Sequence, residues 1–301
     1  MARTVYLGTS DFAAEILRTL ADSPHRPSLV VTRPDRPRGR GRKLAAPPVA
    51  DTARELGIAV DQPESVNDEA ARARIAGERP DAVVVCAFGA LIREPLLSEH
   101  QILNVHPSLL PRWRGAAPIE RAIMAGDNRT GASIMRLTEG LDSGPVCLTA
   151  AEEIAADDDY GTLAARLAHR GGHLLVRALD SLPDGLQFRP QDEAGVTYAE
   201  KITAADRLLD PGRPALEQAR VVRALSPHIG AAVTLADGAR LGVWRADPRD
   251  PAPGDPPPGE LSLDGDVPVL GFTPGTLALA VVQPAGRRAM PGDAYLRGVR
   301  G

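Results

Sequence analysis

The sequence predicts an α/β protein with a doubly wound N-terminal domain and a smaller C-terminal β-barrel domain. Three observations carry this. Strand-length apolar runs alternate with helical stretches through roughly the first 185 residues, the pattern of a sheet covered on both faces. Beyond Arg189 the character changes to short apolar runs separated by turn residues, as in small β-barrels or sandwiches. A chain of 301 residues is long enough to bury two cores.

The elements follow in order. Arg3–Leu7 is an apolar strand, and Ser10 or Asp11 can cap a helix over Asp11–Ala21. Ser28–Thr32 is a second strand. Pro47–Leu56 is helical, with proline at the start, where its missing N–H costs nothing. Asp81–Ala87 is a continuous apolar run typical of a buried parallel strand, and Ile102–His106 is another. Ala116–Ala125 reads as helix, Gly131–Leu137 as strand and Thr162–Leu182 as a long amphipathic helix. A polar connector fills Pro190–Thr203. A short helix over Pro214–Ala224 precedes strands at Ala231–Leu235, Leu241–Arg245, Pro268–Phe272 and Thr276–Val282. Pro248–Gly259 is proline-rich and is expected to be a loop. The domains are expected at 1–187 and 204–301, joined by a linker at 188–203.

Composition narrows the class. No apolar run approaches the roughly 20 residues that span a bilayer, and the chain opens directly on a strand. A cytoplasmic, monomeric protein is expected. The two cysteines, Cys86 and Cys147, have no metal-ligand spacing, and Cys86 on its strand reads as core. The net charge is −4, yet His25–Lys43 holds seven Arg or Lys against one acid, Asp35. Such a patch, rather than total charge, marks polyanion binding. Arginine suits phosphate through its bidentate fork, and Pro and Gly keep this segment extended or mobile.

The chemistry concentrates at residues 103–115, Leu-Asn-Val-His-Pro-Ser-Leu-Leu-Pro-Arg-Trp-Arg-Gly. Asn104 and His106 are two apart on a strand, so they project from one face at its end, where open α/β sheets place their ligands. An imidazole moves protons near neutral pH, and an amide can donate to a developing oxyanion. The pair suits acyl transfer. No enzyme nucleophile accompanies it, because Ser108 lacks the Gly-x-Ser-x-Gly elbow, so the attacking group is expected from the substrate. Asp142, in the turn-rich loop Thr138–Gly144, could orient His106. Gly8-Thr9-Ser10 lacks the later glycines of a dinucleotide fingerprint and reads as a tight strand-to-helix turn. His169 and His173 share a helix face without the glutamate of a zinc-protease helix, and no metal is expected.

These residues resemble the methionyl-tRNA formyltransferase family almost end to end. Val5–Ala14 is similar to its opening strand and turn, Pro34-Asp35-Arg36-Pro37 with Gly39-Arg40-Gly41 to its tRNA-contacting loop, and Asn104–Ile119 to the folate formyltransferase core. Gly140-Leu141-Asp142 with Gly144 resembles the acidic loop, and Gln283–Met290 the C-terminal segment. Pro107 stands where a small residue is frequent in the family, and Pro145 where an acidic one is common. The resemblance implies a Rossmann-like catalytic domain and an OB-like C-terminal barrel. It implies formyl transfer from 10-formyltetrahydrofolate to the methionine amine of charged initiator methionyl-tRNA. Asn104, His106 and Asp142 would be catalytic, with the acid and base duties of the last two left open. Ser108, Leu109, Leu110 and Pro111, with Phe88 and Leu91, would line the folate site. Arg36, Arg38, Arg40, Arg42 and Lys43, with Arg287 and Arg288, would contact tRNA. The core motif is shared with enzymes that formylate nucleotide amino sugars, which is the alternative acceptor.

Overall fold

The computed structural model describes residues 1–38, 43–235 and 238–300. Its strands are β1 (Thr4–Gly8), β2 (Pro27–Val31), β3 (Arg36–Arg38), β4 (Lys43–Ala45), β5 (Ala59–Asp61), β6 (Ala82–Cys86), β7 (Ile102–His106), β8 (Arg114–Gly115), β9 (Arg129–Arg136), β10 (Val146–Glu153), β11 (Tyr198–Ala199), β12 (Ala231–Thr234), β13 (Arg240–Arg249), β14 (Leu261–Ser262), β15 (Val269–Gly271), β16 (Thr276–Pro284) and β17 (Met290–Pro291). The α-helices are α1 (Asp11–Ala21), α2 (Pro48–Glu55), α3 (Glu69–Gly77), α4 (Leu96–Glu99), α5 (Pro118–Ala125), α6 (Tyr160–Asp180), α7 (Ala215–Leu225) and α8 (Gly292–Arg300).

The chain divides into two units. The first comprises Met1–Gly115, Arg129–Glu153 and Ala164–Tyr198. Its seven-stranded sheet has the order β10-β9-β7-β6-β1-β2-β5. The chain starts in the middle at β1, builds outward through β2 to β5, then returns to β6 and builds the other way. The reversal lies between β1 and β6, the place where open α/β sheets form a crevice at their carboxyl ends. Strands β5, β2, β1, β6 and β7 are parallel, whereas β9 runs against β7 and β10 against β9, so the sheet is mixed. The buried run of Val5, Leu7, Val31, Val83, Val85 and Ile102 makes one face of the core, against Ile75 and Leu96. Ser10 caps α1 by accepting from the Ala13 N–H. The continuous apolar runs form β1, β2, β6 and β7 as expected; β5, α3 and β10 are additions that the sequence pattern did not announce.

The second unit comprises Ala116–Asn128, Ile154–Leu163 and Ala199–Gly301. Its sheet is antiparallel, β12-β13-β16-β15-β14, with β17 also on β16. Helix α7 supplies Ala219, Val222 and Leu225 to a core with Val243, Leu270, Leu277, Leu279 and Val282. Helix α5 belongs to this unit through charged pairs: Arg121 with Asp206 at 2.7 Å and Glu120 with His228 at 3.1 Å. Gly126, at φ +73, ends α5 in the left-handed conformation that a side chain disfavours. One expectation is corrected here. Pro248 and Arg249 are the end of β13, opposite Leu277 and Thr276, rather than loop. β12 pairs with Arg240–Val243, so beyond that point β13 is an edge, the kind of position where a sheet tolerates proline. No helix among the described residues is long and apolar enough to cross a membrane.

Candidate active site

Strand β7 is buried along its whole length, and its only polar side chains are the last alternate pair. Register places Asn104 beside Val85, which pairs in turn with Leu7, so the pair extends a core face of the sheet to its carboxyl edge. Asn104 is 7% exposed and His106 4%. The pair therefore acts in a largely water-excluded place, where a buried polar group is costly without a partner.

The partners come from two chain reversals. Nε2 of His106 lies 2.8 Å from the carbonyl oxygen of Trp113. Trp113 has φ +63, a left-handed conformation rare for a large residue, and its N–H donates to Thr197 Oγ1 at 2.8 Å. Asp142, at φ +44, also left-handed, sits in the loop between β9 and β10. Its Oδ2 accepts from the Gly115 N–H at 2.9 Å and lies 3.7 Å from His106 Nδ1, while Oδ1 is 3.5 Å from Asn104 Nδ2. The three polar side chains singled out from sequence thus converge, with a carboxylate facing both the imidazole and the amide.

Two residues that sequence reasoning missed hold this arrangement. The Gln191 amide donates to the carbonyls of Asp142 at 2.8 Å and Gly144 at 2.7 Å, and its Oε1 accepts from Arg114 Nε at 2.9 Å. Arg114 is buried, with Glu193 3.3 Å away. A Cβ at Gly144 would overlap the Arg136 carbonyl, so the loop fits only without a side chain there. Ser133, opposite His106 on β9, donates to the Ser108 carbonyl at 2.7 Å and accepts from the Leu110 N–H at 3.2 Å. Nothing in the linear pattern distinguishes Gln191 from other polar connector residues, and Ser133 sits unremarked within an apolar strand.

The expected folate-lining residues fall in two places. In the turn after β7, the fully buried Ser108 spends its hydroxyl on the Arg112 carbonyl at 2.6 Å, so it shapes the turn; Leu109, Leu110 and Pro111 remain half-buried. In the loop after β6, Phe88 is 4% exposed and packs into the core, whereas Leu91 is 62% exposed. This loop is pinned: Thr9 Oγ1 donates to the Phe88 carbonyl at 2.7 Å, Arg33 Nη1 to the Gly89 carbonyl at 2.6 Å and Asn67 Nδ2 to the Leu91 carbonyl at 2.9 Å. A cleft of about 450 Å³ opens at the sheet's switch point, lined by Thr9, Ser10, Arg33, Arg36, Pro47 and Phe88 among others.

The basic segment is a hairpin, with Arg36 opposite Ala45, Pro37 opposite Leu44 and Arg38 opposite Lys43. Arg36 and Lys43 are exposed. Arg40 and Arg42, and the side chain of Arg38, lie outside the described residues. Arg287 and Arg288 are exposed in the turn after β16, where the Arg287 carbonyl accepts from Gln283 Nε2 at 2.9 Å. Burial pushes the Cys86 thiol up to about 12, which suits a core thiol. His169 and His173 meet edge-on, with ring centroids 4.4 Å apart. Among the described residues, no group of three or more His, Cys, Asp or Glu could hold a metal ion.

Comparison with known proteins defines the class. The family described as formyl transferase matches residues 2–179, and the formyl transferase C-terminal domain matches residues 201–300. The chain is 42% identical over 297 residues to a methionyl-tRNA formyltransferase of Methylococcus capsulatus, covering 98% of this chain and 96% of that one. It is 43% identical over 297 residues to a methionyl-tRNA formyltransferase of Methylobacillus flagellatus, covering 97% and 95%. The chain belongs to the methionyl-tRNA formyltransferase family. Among solved structures, the fold is similar to HypX from Aquifex aeolicus in complex with tetrahydrofolic acid, at TM-score 0.68 and 16% identity. That match covers 98% of this chain and 47% of HypX, so the chain spans about half of HypX. It is similar too to an N-formyltransferase from Helicobacter canadensis complexed with folinic acid and dTDP-3-aminofucose, at TM-score 0.68, 12% identity and coverage of 93% and 99%.

Proposed function

We propose that this protein transfers the formyl group of 10-formyltetrahydrofolate to the free α-amine of methionine on charged initiator tRNA. The observation that carries the reading is the convergence of Asn104, His106 and Asp142 at the carboxyl end of β7, with the neighbouring hydroxyls of Ser108 and Ser133 spent on backbone carbonyls. The amine of the acceptor is the nucleophile: a C–N bond forms to the formyl carbon, and the bond from that carbon to the folate nitrogen breaks. The Asn104 amide donates to the formyl oxygen as negative charge grows there. A carbonyl can only accept, so the Trp113 oxygen fixes a hydrogen on Nε2 of His106 and leaves Nδ1 as the base for the amine proton. Once Nδ1 is protonated, Asp142 at 3.7 Å becomes its counter-ion, and the proton passes on to the folate nitrogen as its bond to the formyl carbon breaks.

The donor is read as lying along Ser108–Pro111 with the Phe88–Leu91 loop as a further wall. The switch-point cleft, walled by the basic hairpin, suits the acceptor's 3′ end. Arg36, Arg38, Arg40, Arg42 and Lys43 then meet acceptor-stem phosphates. The first unit carries the chemistry, with Gln191 and Thr197 of the connector bracing the site, and 204–301 form an OB-like barrel that offers Arg287 and Arg288 to the tRNA. A monomer in the cytoplasm fits this role. A nucleotide amino sugar as acceptor would leave the basic hairpin without a task. The test is formylation of charged initiator tRNA beside a nucleotide amino sugar, with the folate donor present. Product on the tRNA supports the reading, and product on the sugar alone rejects it.

A further inference from the structure

We propose that Arg33 is a positioning residue that couples the tRNA-contacting hairpin to the donor-site loop, so that each substrate tightens the binding of the other. The inference rests on the function proposed above. Arg33 lies between β2 and the hairpin strand β3, only three residues before Arg36. Its backbone carbonyl accepts from Gln62 Nε2 at 2.9 Å, and the same amide donates to Asp35 Oδ1 at 2.7 Å, so the root of the hairpin is fixed. From that root the guanidinium reaches across the cleft and donates to the Gly89 carbonyl at 2.6 Å. Its Nε is shut off from solvent and has no hydrogen-bond partner among the described residues, so one charge-assisted bond carries the link.

The receiving loop is one that a single bond can bias. It turns through left-handed backbone at Ala87, φ +41, and Gly89, φ +72. Of its other anchors, Thr9 holds the Phe88 carbonyl from the β1 turn, while Asn67 holds the Leu91 carbonyl and accepts from the Arg93 N–H. Neither belongs to the hairpin. Arg33 is the contact, among these anchors, through which a shift of the hairpin reaches the loop that bears Phe88 and the exposed Leu91. Coupling of this kind is reciprocal by thermodynamic necessity.

The experiment measures the dissociation constant of a non-reactive folate, tetrahydrofolate, with and without charged initiator tRNA, after turnover of that tRNA by the unaltered protein has been recorded. In the unaltered protein, tRNA tightens folate binding by about fivefold or more. Arg33→Leu brings that factor close to one and raises the KM for the donor. Arg33→Lys, which keeps a charged donor, restores part of the factor. Thr9→Val, which frees the loop at an anchor off the hairpin, weakens folate binding equally with and without tRNA. An undiminished factor in Arg33→Leu, or no factor in the unaltered protein, overturns the inference while leaving the proposed function in place. Absence of tRNA turnover by the unaltered protein rejects the function, and this inference with it.

Discussion

Trp113 presents its carbonyl to Nε2 of His106 at 2.8 Å, while Nδ1 faces the Asp142 carboxylate at 3.7 Å. One ring nitrogen is committed to backbone, and the other is the one the proposed mechanism uses as base. Asp142→Asn tests this division. Asparagine tolerates the left-handed backbone at 142 and can still accept from the Gly115 N–H, so the loop is kept and the charge is lost. We expect kcat to fall by up to roughly 10,000-fold, the scale on which losing the carboxylate partner of a catalytic histidine acts. Single-turnover formylation of charged tRNA, with donor affinity measured separately, checks it.

Asn104→Ala removes the donor assigned to the formyl oxygen. The expected loss is roughly 100- to 1,000-fold in kcat, with folate binding largely retained. Near-normal turnover in this variant would take Asn104 out of the mechanism.

Gln191 clamps two carbonyls of the Asp142 loop and is itself held by Arg114. Gln191→Glu is nearly isosteric but has no amide hydrogens to donate. It should therefore slow turnover as much as Gln191→Leu, by about tenfold or more, since unpaired buried acceptors cost about 1–3 kcal/mol. Steady-state kinetics on both variants decide this; a normal rate in Gln191→Glu would mean the loop holds itself.

Asp206 in the second unit is held down to about 2 by the hydrogen bond from Arg121, with further bonds from Thr203. Its folded value lies below its unfolded one, so the stabilisation is complete above about pH 4 and fades as pH falls through 2. Asp206→Asn is expected to cost about 2 kcal/mol at neutral pH. Urea unfolding from pH 7 downward should show the gap between variant and unaltered protein narrowing at the acid end.

Exposed Arg36 and Lys43 predict affinity that weakens with salt. Each phosphate contact contributes about one unit to the slope of log K against log salt. Arg36→Ala and Lys43→Ala should each weaken tRNA binding and reduce that slope by about one, without changing the folate dissociation constant appreciably. Salt titrations of tRNA binding read both effects.

Much of this architecture was legible where hydrophobicity alone decides. β1, β6 and β7 are buried on both faces and mostly apolar, and a buried parallel strand can look like little else. β10 was not legible, because Val146–Glu153 is an edge strand rich in Ala and Glu whose side chains stay half-exposed. Helix α3 buries only Ala71 and Ile75, too little to stamp a period on nine residues. The site was readable at Asn104 and His106 because polar residues stand out at the end of an apolar strand. Asp142 needed only a turn-rich loop. Gln191 gave no sign: its contacts cross 49 residues to Asp142 and 77 to Arg114, and no local pattern encodes them. Ser108 shows the converse, a conspicuous hydroxyl whose partner is its own turn.

The division into units has a consequence for recombining this chain with its relatives. Helix α5 and residues 154–163 belong with the C-terminal unit, although in sequence they interrupt the segments of the first unit. Arg121 answers Asp206, Glu120 answers His228, and the Asp158 carbonyl accepts from Arg223 at 2.6 Å. A chimera joined at the connector would transplant one side of each pair and leave the other behind. The portable module is therefore discontinuous in sequence. A graft that brings 116–128 and 154–163 along with the C-terminal residues should fold where a simple tail swap leaves unmatched charge.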